Sequence, residues 1–323
     1  MNKNNSLDFV PFDHKQLTSF ISPRAGEVKL GERVQPTITE TTRFVILGIS
    51  EDIGPRANNG NGGALNAFNA FLSKFLNMQS NRFLSGEEIT ILGTVHAFSD
   101  SNHPEKLREK VAELDDLVIG TLSQVDLSDK TLIVIGGGHN NAYPIMKALS
   151  EHNETLHILN IDPHADCRPL EGRHSGNPFS TAIVEEIITS YTVLGLHEQY
   201  NSKVIYDFLE DNQCDMTFYE NYLDGRSLTD DLKDFTKAKG NAFGVEIDLD
   251  SIAGMPTSAY TPSGFSLQEI RQAVRLLAKS RPMYLHLPEG APKNAEENTI
   301  VGKALAYLLS LIHISEPTRR PII

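Results

Sequence analysis

Residues 156–166 read LHILNIDPHAD, and this stretch decides the fold. A mainly apolar, partly β-branched run, LHILNID at 156–162, stops at Asp162, His164 and Asp166, spaced i, i+2 and i+4. Nearly continuous apolar runs of this length suit strands of a sheet covered on both faces. Comparable runs lie on either side: RFVILGI at 43–49, EITILG at 88–93, TLIVIGG at 131–137, YTVLGL at 191–196, MTFY at 216–219, AFGVEIDL at 242–249 and MYLHL at 283–287. Between them lie segments of helical period. In 64–76, Leu65, Phe68, Phe71, Leu72, Phe75 and Leu76 fall near one face. Similar segments cover 104–124, 142–152, 177–189, 200–212, 227–239 and 266–280. Strand alternating with helix predicts an α/β fold, a three-layer α/β/α sandwich with a mainly parallel sheet of about eight strands.

The predicted domain spans 41–308, with no repeat and no low-complexity linker inside it. Residues 1–40 are expected to be an irregular extension that wraps the surface. Leu309 to Arg319 read LSLIHISEPTR, which one reading frame of a DNA-library adapter translates to. Residues 309–323 are therefore expected to be foreign to the natural protein, and His313 and Glu316 receive no functional reading.

The net charge of −13 argues against a nucleic-acid partner, which needs a basic footprint. No apolar run reaches the ~18 residues of a membrane span. The start, MNKNNSLDFVPF, has no signal-peptide core. The two cysteines, Cys167 and Cys214, form neither a zinc-type pair nor a disulfide framework, so a cytoplasmic setting is expected.

In such sheets ligands sit beyond the carboxyl ends of strands, and three predicted strands end in metal-ligating side chains. The run at 131–137 leads to His139, the run at 156–162 to Asp162, His164 and Asp166, and the run at 242–249 to Asp248 and Asp250. Asp248 and Asp250, two apart, project to the same side of an extended backbone. Four aspartates balance two divalent cations, whereas burying them without cations would be very costly. Oxygen donors with a few imidazoles suit Mn²⁺, and two metals about 3.5–4 Å apart can activate a shared water.

These stretches resemble the arginase (ureohydrolase) superfamily, whose three motifs run GGDHS, DAHxD and SxDxDxxDP. The resemblance extends from about 43 to 308. It includes EDIGPRANNGNGGA at 51–64, like the family's glycine-rich loop, and LPEGAP at 287–292, like a late ExNP-type motif. It implies two Mn²⁺ per chain. His139, Asp162, Asp166 and Asp248 would hold one; Asp162, His164, Asp248 and Asp250 would hold the other, with Asp162 and Asp248 shared. It also implies a homo-oligomer. Four departures stand out: Gly138 for the motif Asp, Pro163 for Ala, Glu246 for Ser, and Ala253–Gly254 for the closing Asp-Pro. None removes a ligand, but Gly138 is expected to loosen the support of His139.

DCRPLEGRHSGNPFS at 166–180 is most similar to the formimidoylglutamase branch, with Arg168 where arginases carry Asn. That implies hydrolysis of N-formimino-L-glutamate to L-glutamate and formamide, in histidine degradation. An Arg at the mouth can grip a substrate carboxylate in bidentate fashion. Ser175, Asn177 and Thr261 are candidate substrate contacts, with Ser263 in the same turn as Thr261. Glu289 resembles the glutamate that receives the cationic amidine or guanidine, and Asp166 is the candidate proton donor to the leaving nitrogen. His174 is a candidate proton shuttle or substrate contact, although the family's usual shuttle position is held by Phe179 rather than by a histidine. Another ureohydrolase (arginase, agmatinase or guanidino-acid hydrolase), a non-catalytic metal-binding relative and a one-metal deacetylase-like enzyme are the competing readings.

Overall fold

The eight apolar runs all become strands, joined by a ninth, in one sheet of the computed structural model, which describes residues 6–312. In chain order the elements begin β1 (Leu7–Pro11), α1 (His14–Ser19), β2 (Phe44–Ser50), α2 (Ile53–Ala57), α3 (Ala67–Phe75), β3 (Ile89–Ala97), α4 (Pro104–Leu122), β4 (Thr131–Ile135) and α5 (Ala142–Ser150). They continue β5 (His157–Ile161), α6 (Pro178–Val184), β6 (Ser190–Leu196), α7 (Lys203–Asp211), β7 (Asp215–Phe218), α8 (Tyr219–Leu223) and α9 (Leu228–Lys239). The last are β8 (Phe243–Ile247), α10 (Leu267–Leu277), β9 (Tyr284–Leu287) and α11 (Ala295–Leu309).

Alternate residues of the central strands feed two cores. Ile46, Ile133, Leu159, Val245 and Leu285 face one side, where α3, α9, α10 and α11 pack. Val45, Leu132, Ile158 and Tyr284 face the other, with α4, α5, α6 and α7. This is the expected three-layer arrangement. Helix α10 shows how local sequence sets an element. Ser266 caps its start, accepting from the Glu269 N–H while the Glu269 side chain reaches back, a pairing that contributes about 1 kcal/mol. Ile270, Ala273, Val274 and Leu277 then fall on one buried stripe at i, i+3, i+4 and i+7. Arg281, at φ 50°, and Pro282 stop any continuation into β9.

The strand order is β1-β3-β2-β4-β9-β8-β5-β6-β7, parallel except for β1. The N-terminal stretch is more regular than expected, since Leu7–Pro11 pairs antiparallel with β3 as an edge strand. Gly93 permits this pairing: a Cβ there would lie 2.2 Å from the Val10 carbonyl oxygen. At the other end, Leu309 and Ile312 are buried against the α3/α11 core, and residues 313–323, most of the expected foreign tail, lie outside the described residues. For function, the central order β4-β9-β8-β5 matters most. Late strands β8 and β9 are inserted between β4 and β5, so four carboxyl ends far apart in sequence converge.

Candidate metal centre

Three of those ends carry the six predicted ligands. After β4, Gly136 and Gly137 turn the chain through φ 89° and 72°, and a Cβ on Gly136 would lie 2.6 Å from the Ile49 carbonyl oxygen. His139 follows, fully buried. After β5, Asp162 accepts hydrogen bonds from the His164 N–H (2.7 Å) and the Asn160 side-chain amide (3.0 Å), which fixes its carboxylate. Asp166 sits in the left-handed region at φ 46°. After β8, the Asp248 side chain accepts from the Asp250 N–H at 2.9 Å.

The structure brings all six side chains together. His139 Nδ1 lies 3.2 Å from Asp162 Oδ2, 3.0 Å from Asp166 Oδ2 and 3.0 Å from Asp248 Oδ2. His164 Nδ1 lies 3.2 Å from Asp250 Oδ2 and 3.5 Å from Asp162 Oδ1. Two donor groups result: His139, Asp162, Asp166 and Asp248 in one, and Asp162, His164 and Asp250 in the other, each with donor atoms within 4.8 Å of one another. Asp162 belongs to both, while Asp248, expected to be shared as well, is gathered with the first.

The electrostatics fit divalent cations. Burial and the neighbouring Asp250 and Asp162 charges hold Asp248 well above the usual carboxylate range. Burial also lifts Asp250, to about 6, although His164 pulls it down. Burial opposes charge on His139, yet the surrounding carboxylates outweigh it and raise the imidazole well above its usual value. Clustered like charges out of water are unfavourable without countercharge. His139 Nδ1 and Asp250 Oδ1 are also buried without a hydrogen-bond partner. Orphaned donor atoms pointing into a carboxylate cluster are what two hard cations would satisfy, and the residues present fit them.

Glu289, just beyond β9, joins this cluster. It holds φ 66°, a conformation that a long side chain rarely adopts and that is typical of functional sites. Its Oε1 accepts from the His139 N–H at 2.7 Å, and its Oε2 accepts from the Ser258 hydroxyl. Burial and the Asp248 charge push it up to about 8. A cleft of about 430 Å³ opens over Asp166, Asp248, Asp250 and Glu289, and Arg168 and Ser175 line it. A larger hollow of about 690 Å³ lies beside Phe44, Thr131 and Met283, at the opposite strand ends, and gathers none of these groups.

Arg168 is exposed, and its guanidinium has no ion-pair partner among the described residues. Three expected cleft residues lie elsewhere. His174 is fully buried, its Nδ1 accepting from the Gly176 N–H and its Nε2 lying 3.2 Å from the Asn177 amide nitrogen. Burial, then the Arg108 charge, lowers it to about 4. Asn177 donates to the carbonyls of Gly172 and Pro169 and accepts from Arg173, so it braces the 166–177 loop. Thr261 is buried, its hydroxyl shared between the Ser263 N–H and the Tyr200 hydroxyl. Phe179 presents its ring edgewise to His139 at 5.2 Å and offers no proton-transfer group.

Sequence reasoning did not single out several neighbours. Tyr200 lines the cleft and stacks on His164, with ring centroids 5.4 Å apart. Arg173 pairs with buried Asp115 of α4 at 2.8 Å and reaches the Asn140 carbonyl, tying the loop to the helix behind it. Asp115 did leave a signal: it lies four residues beyond Val111 and next to Leu114, on the apolar stripe of its helix. Under the centre, Glu246, Tyr284 and His286 form a buried polar cluster.

The sequence profile of the arginase family matches residues 43–312. A formimidoylglutamase of Staphylococcus haemolyticus is 30% identical over 203 residues, which is 62% of this chain and 60% of that protein. The chain spans between half and three-fifths of the length of the first such relatives it matches. Among solved structures, a Trypanosoma cruzi formiminoglutamase with Mn²⁺ superposes with a TM-score of 0.73 at 22% identity, covering 90% of this chain and 100% of that one. The Bacillus subtilis formimidoylglutamase gives 0.74 at 16% identity, covering 90% and 93%. These likenesses establish the fold.

Proposed function

The chain belongs to the arginase family, and on that premise we propose that it hydrolyses a C–N bond of a linear amidine, N-formimino-L-glutamate, to L-glutamate and formamide. One observation carries the reading. A single cleft holds a buried carboxylate suited to an amidinium, Glu289, and an exposed guanidinium, Arg168, with no ion pair among the described residues and suited to a carboxylate. A substrate with an amidine at one end and a carboxylate at the other matches both. The names of the similar proteins point to the same chemistry.

His139, Asp162, Asp166 and Asp248 would hold one Mn²⁺, and Asp162, His164 and Asp250, with Asp248 beside them, a second. Ions bound there would polarise a water and lower its pKa. The chain's own groups do the rest. Glu289, its oxygens fixed by the His139 N–H and the Ser258 hydroxyl, orients the planar amidinium. Arg168 anchors a carboxylate at the mouth, with Ser175 on the cleft wall beside it. Asp166 reaches the same cleft and passes a proton to the departing amine nitrogen, so water adds across the C–N bond and glutamate leaves with its amino group restored. Placement in histidine degradation, as a cytoplasmic homo-oligomer, completes the reading. No helix among the described residues is long and apolar enough to cross a membrane.

The test is glutamate release from N-formimino-L-glutamate by Mn²⁺-loaded protein, with arginine and agmatine run beside it for urea. Glutamate release that chelation abolishes and Mn²⁺ restores is the expected result. Urea from a guanidine with no glutamate would overturn the substrate assignment and keep the family. Full metal loading without turnover of any amidine or guanidine would overturn the catalytic reading.

A further inference from the structure

His139 carries an unusual load. Its Nδ1 faces three carboxylates, while its Nε2 points the other way, into the sheet, and is buried with no hydrogen bond of its own. The group it meets there is Glu246, whose Oε2 lies 3.4 Å from His139 Nε2. Glu246 is fully buried in β8 and is held by two donors, the Tyr284 hydroxyl at 2.7 Å and His286 Nδ1 at 2.6 Å. The register explains the assembly. Glu246 pairs with His286 on β9 and with Asn160 on β5, so three polar side chains form a row across the sheet beneath the ligand-bearing ends. Room for Tyr284 is made at Gly244, where a Cβ would lie 1.9 Å from the tyrosine ring.

Residue 138 cannot supply the same support. A Cβ on Gly138 would lie 2.3 Å from Pro55 Cδ, so the aspartate found there in the family motif has no space in this chain. A carboxylate buried against two donors and a facing imidazole needs a purpose beyond packing, because replacing such a cluster by apolar groups is often neutral or stabilising. Ligand imidazoles are commonly oriented by a carboxylate on their second nitrogen, and losing that partner typically costs 10–100-fold in metal affinity.

We propose that Glu246, clamped by Tyr284 and His286, is the positioning residue of His139, fixing the ring so that Nδ1 is directed at Asp162, Asp166 and Asp248. The inference rests on the two-cation reading of the centre. The carboxylate facing Nε2 at 3.4 Å favours the proton on that nitrogen, the tautomer whose Nδ1 lone pair is free for a metal.

The test is metal binding rather than turnover. Full-length protein is stripped with chelator and titrated with Mn²⁺, with bound ions counted after equilibrium dialysis. The low-temperature paramagnetic resonance spectrum is recorded at each loading. Glu246→Gln keeps the shape and removes the charge, and Tyr284→Phe removes one clamp and keeps the carboxylate. Wild type is expected to take two ions. In Glu246→Gln one of the two should weaken about 10–100-fold, and the coupled-pair signal should give way to that of an isolated ion at intermediate loading. Tyr284→Phe should move in the same direction by less, and it carries the test if Glu246→Gln does not fold. Wild-type affinity for both ions in the variants overturns the proposal. So does a third ion in wild type that Glu246→Gln alone loses, since His139, Glu246 and His286 would then be ligands themselves. No Mn²⁺ uptake by wild type overturns the two-cation reading beneath it.

Discussion

Replacing Arg168 by alanine separates substrate recognition from everything else in the cleft. The guanidinium is exposed and pairs with no carboxylate among the described residues, so its removal strands no buried charge. Stability should change by no more than ~0.5 kcal/mol. The loop keeps its course through backbone contacts that alanine preserves: the residue-168 N–H to the Gly176 carbonyl at 2.9 Å, and the Ser180 hydroxyl to the residue-168 carbonyl at 2.6 Å. A charged hydrogen-bonded contact contributes about 1.5–3 kcal/mol, and exposure to solvent at the mouth places this one near the low end, at about 1.5–2. At ~1.4 kcal/mol per factor of ten, kcat/KM for N-formimino-L-glutamate should fall about 10–30-fold. The decisive comparison is formamidine, which has the reacting amidine and no carboxylate. Its turnover should be unchanged. Arg168→Lys should recover part of the loss, because the charge remains and the planar fork does not. An equal fall on both substrates, or no fall on either, refutes a carboxylate contact at this residue.

Three other changes probe the rest of the site. Asp248→Ala removes a carboxylate central to the cluster and should abolish activity, with Mn²⁺ content falling below that of wild type by atomic absorption; wild-type-like turnover would sink the metal reading. Arg173→Ala leaves Asp115 buried without its partner and should cost about 3–5 kcal/mol by urea unfolding, whereas Arg173→Met with Asp115→Leu should recover most of that loss. His174 is held below its unfolded value, at about 4, so the folded state resists protonation that the unfolded chain accepts. Its contribution is therefore full above about pH 6.5 and is lost as pH falls toward 4, up to about 3 kcal/mol, and His174→Gln should flatten the melting-temperature profile across that window.

The fold was legible where burial on both faces forces an apolar run. That is why TLIVI at 131–135 and FGVEI at 243–247 announce strands, and why LDFVP at 7–11 does not. The latter is a half-exposed edge strand closing on a proline, stabilised by its partner β3 rather than by its own composition. The ligands were legible for a related reason: strand ends are where an α/β sheet places chemistry, and each polar cluster followed an apolar run directly. The residues of the 166–177 loop were much less so. Ser175, which lines the cleft, and Asn177, which holds backbone carbonyls behind it, are both small polar residues two positions apart. Nothing in their spacing says which way a loop side chain turns. His174 illustrates the same limit, since a histidine near a candidate site can as well be a buried brace for a turn as a proton carrier.

Departures from a motif are harder still, because a motif is read along the chain and a site is built across it. Gly138 alone looks like lost support for a ligand, and Glu246 alone looks like a misplaced charge in a buried strand. The sheet order changes both readings. With β9 and β8 inserted between β4 and β5, the Glu246 carboxylate lies 3.4 Å from the imidazole that follows Gly138, although more than a hundred residues separate them. The polar residues punctuating LHILNI, FGVEI and YLHL then form one row: Asn160, Glu246 and His286 pair in register on the same face. A polar residue in an otherwise apolar central strand is costly unless satisfied. Each of the three serves the ligands above: Asn160 donates to Asp162, while Glu246, held by His286, faces the His139 ring.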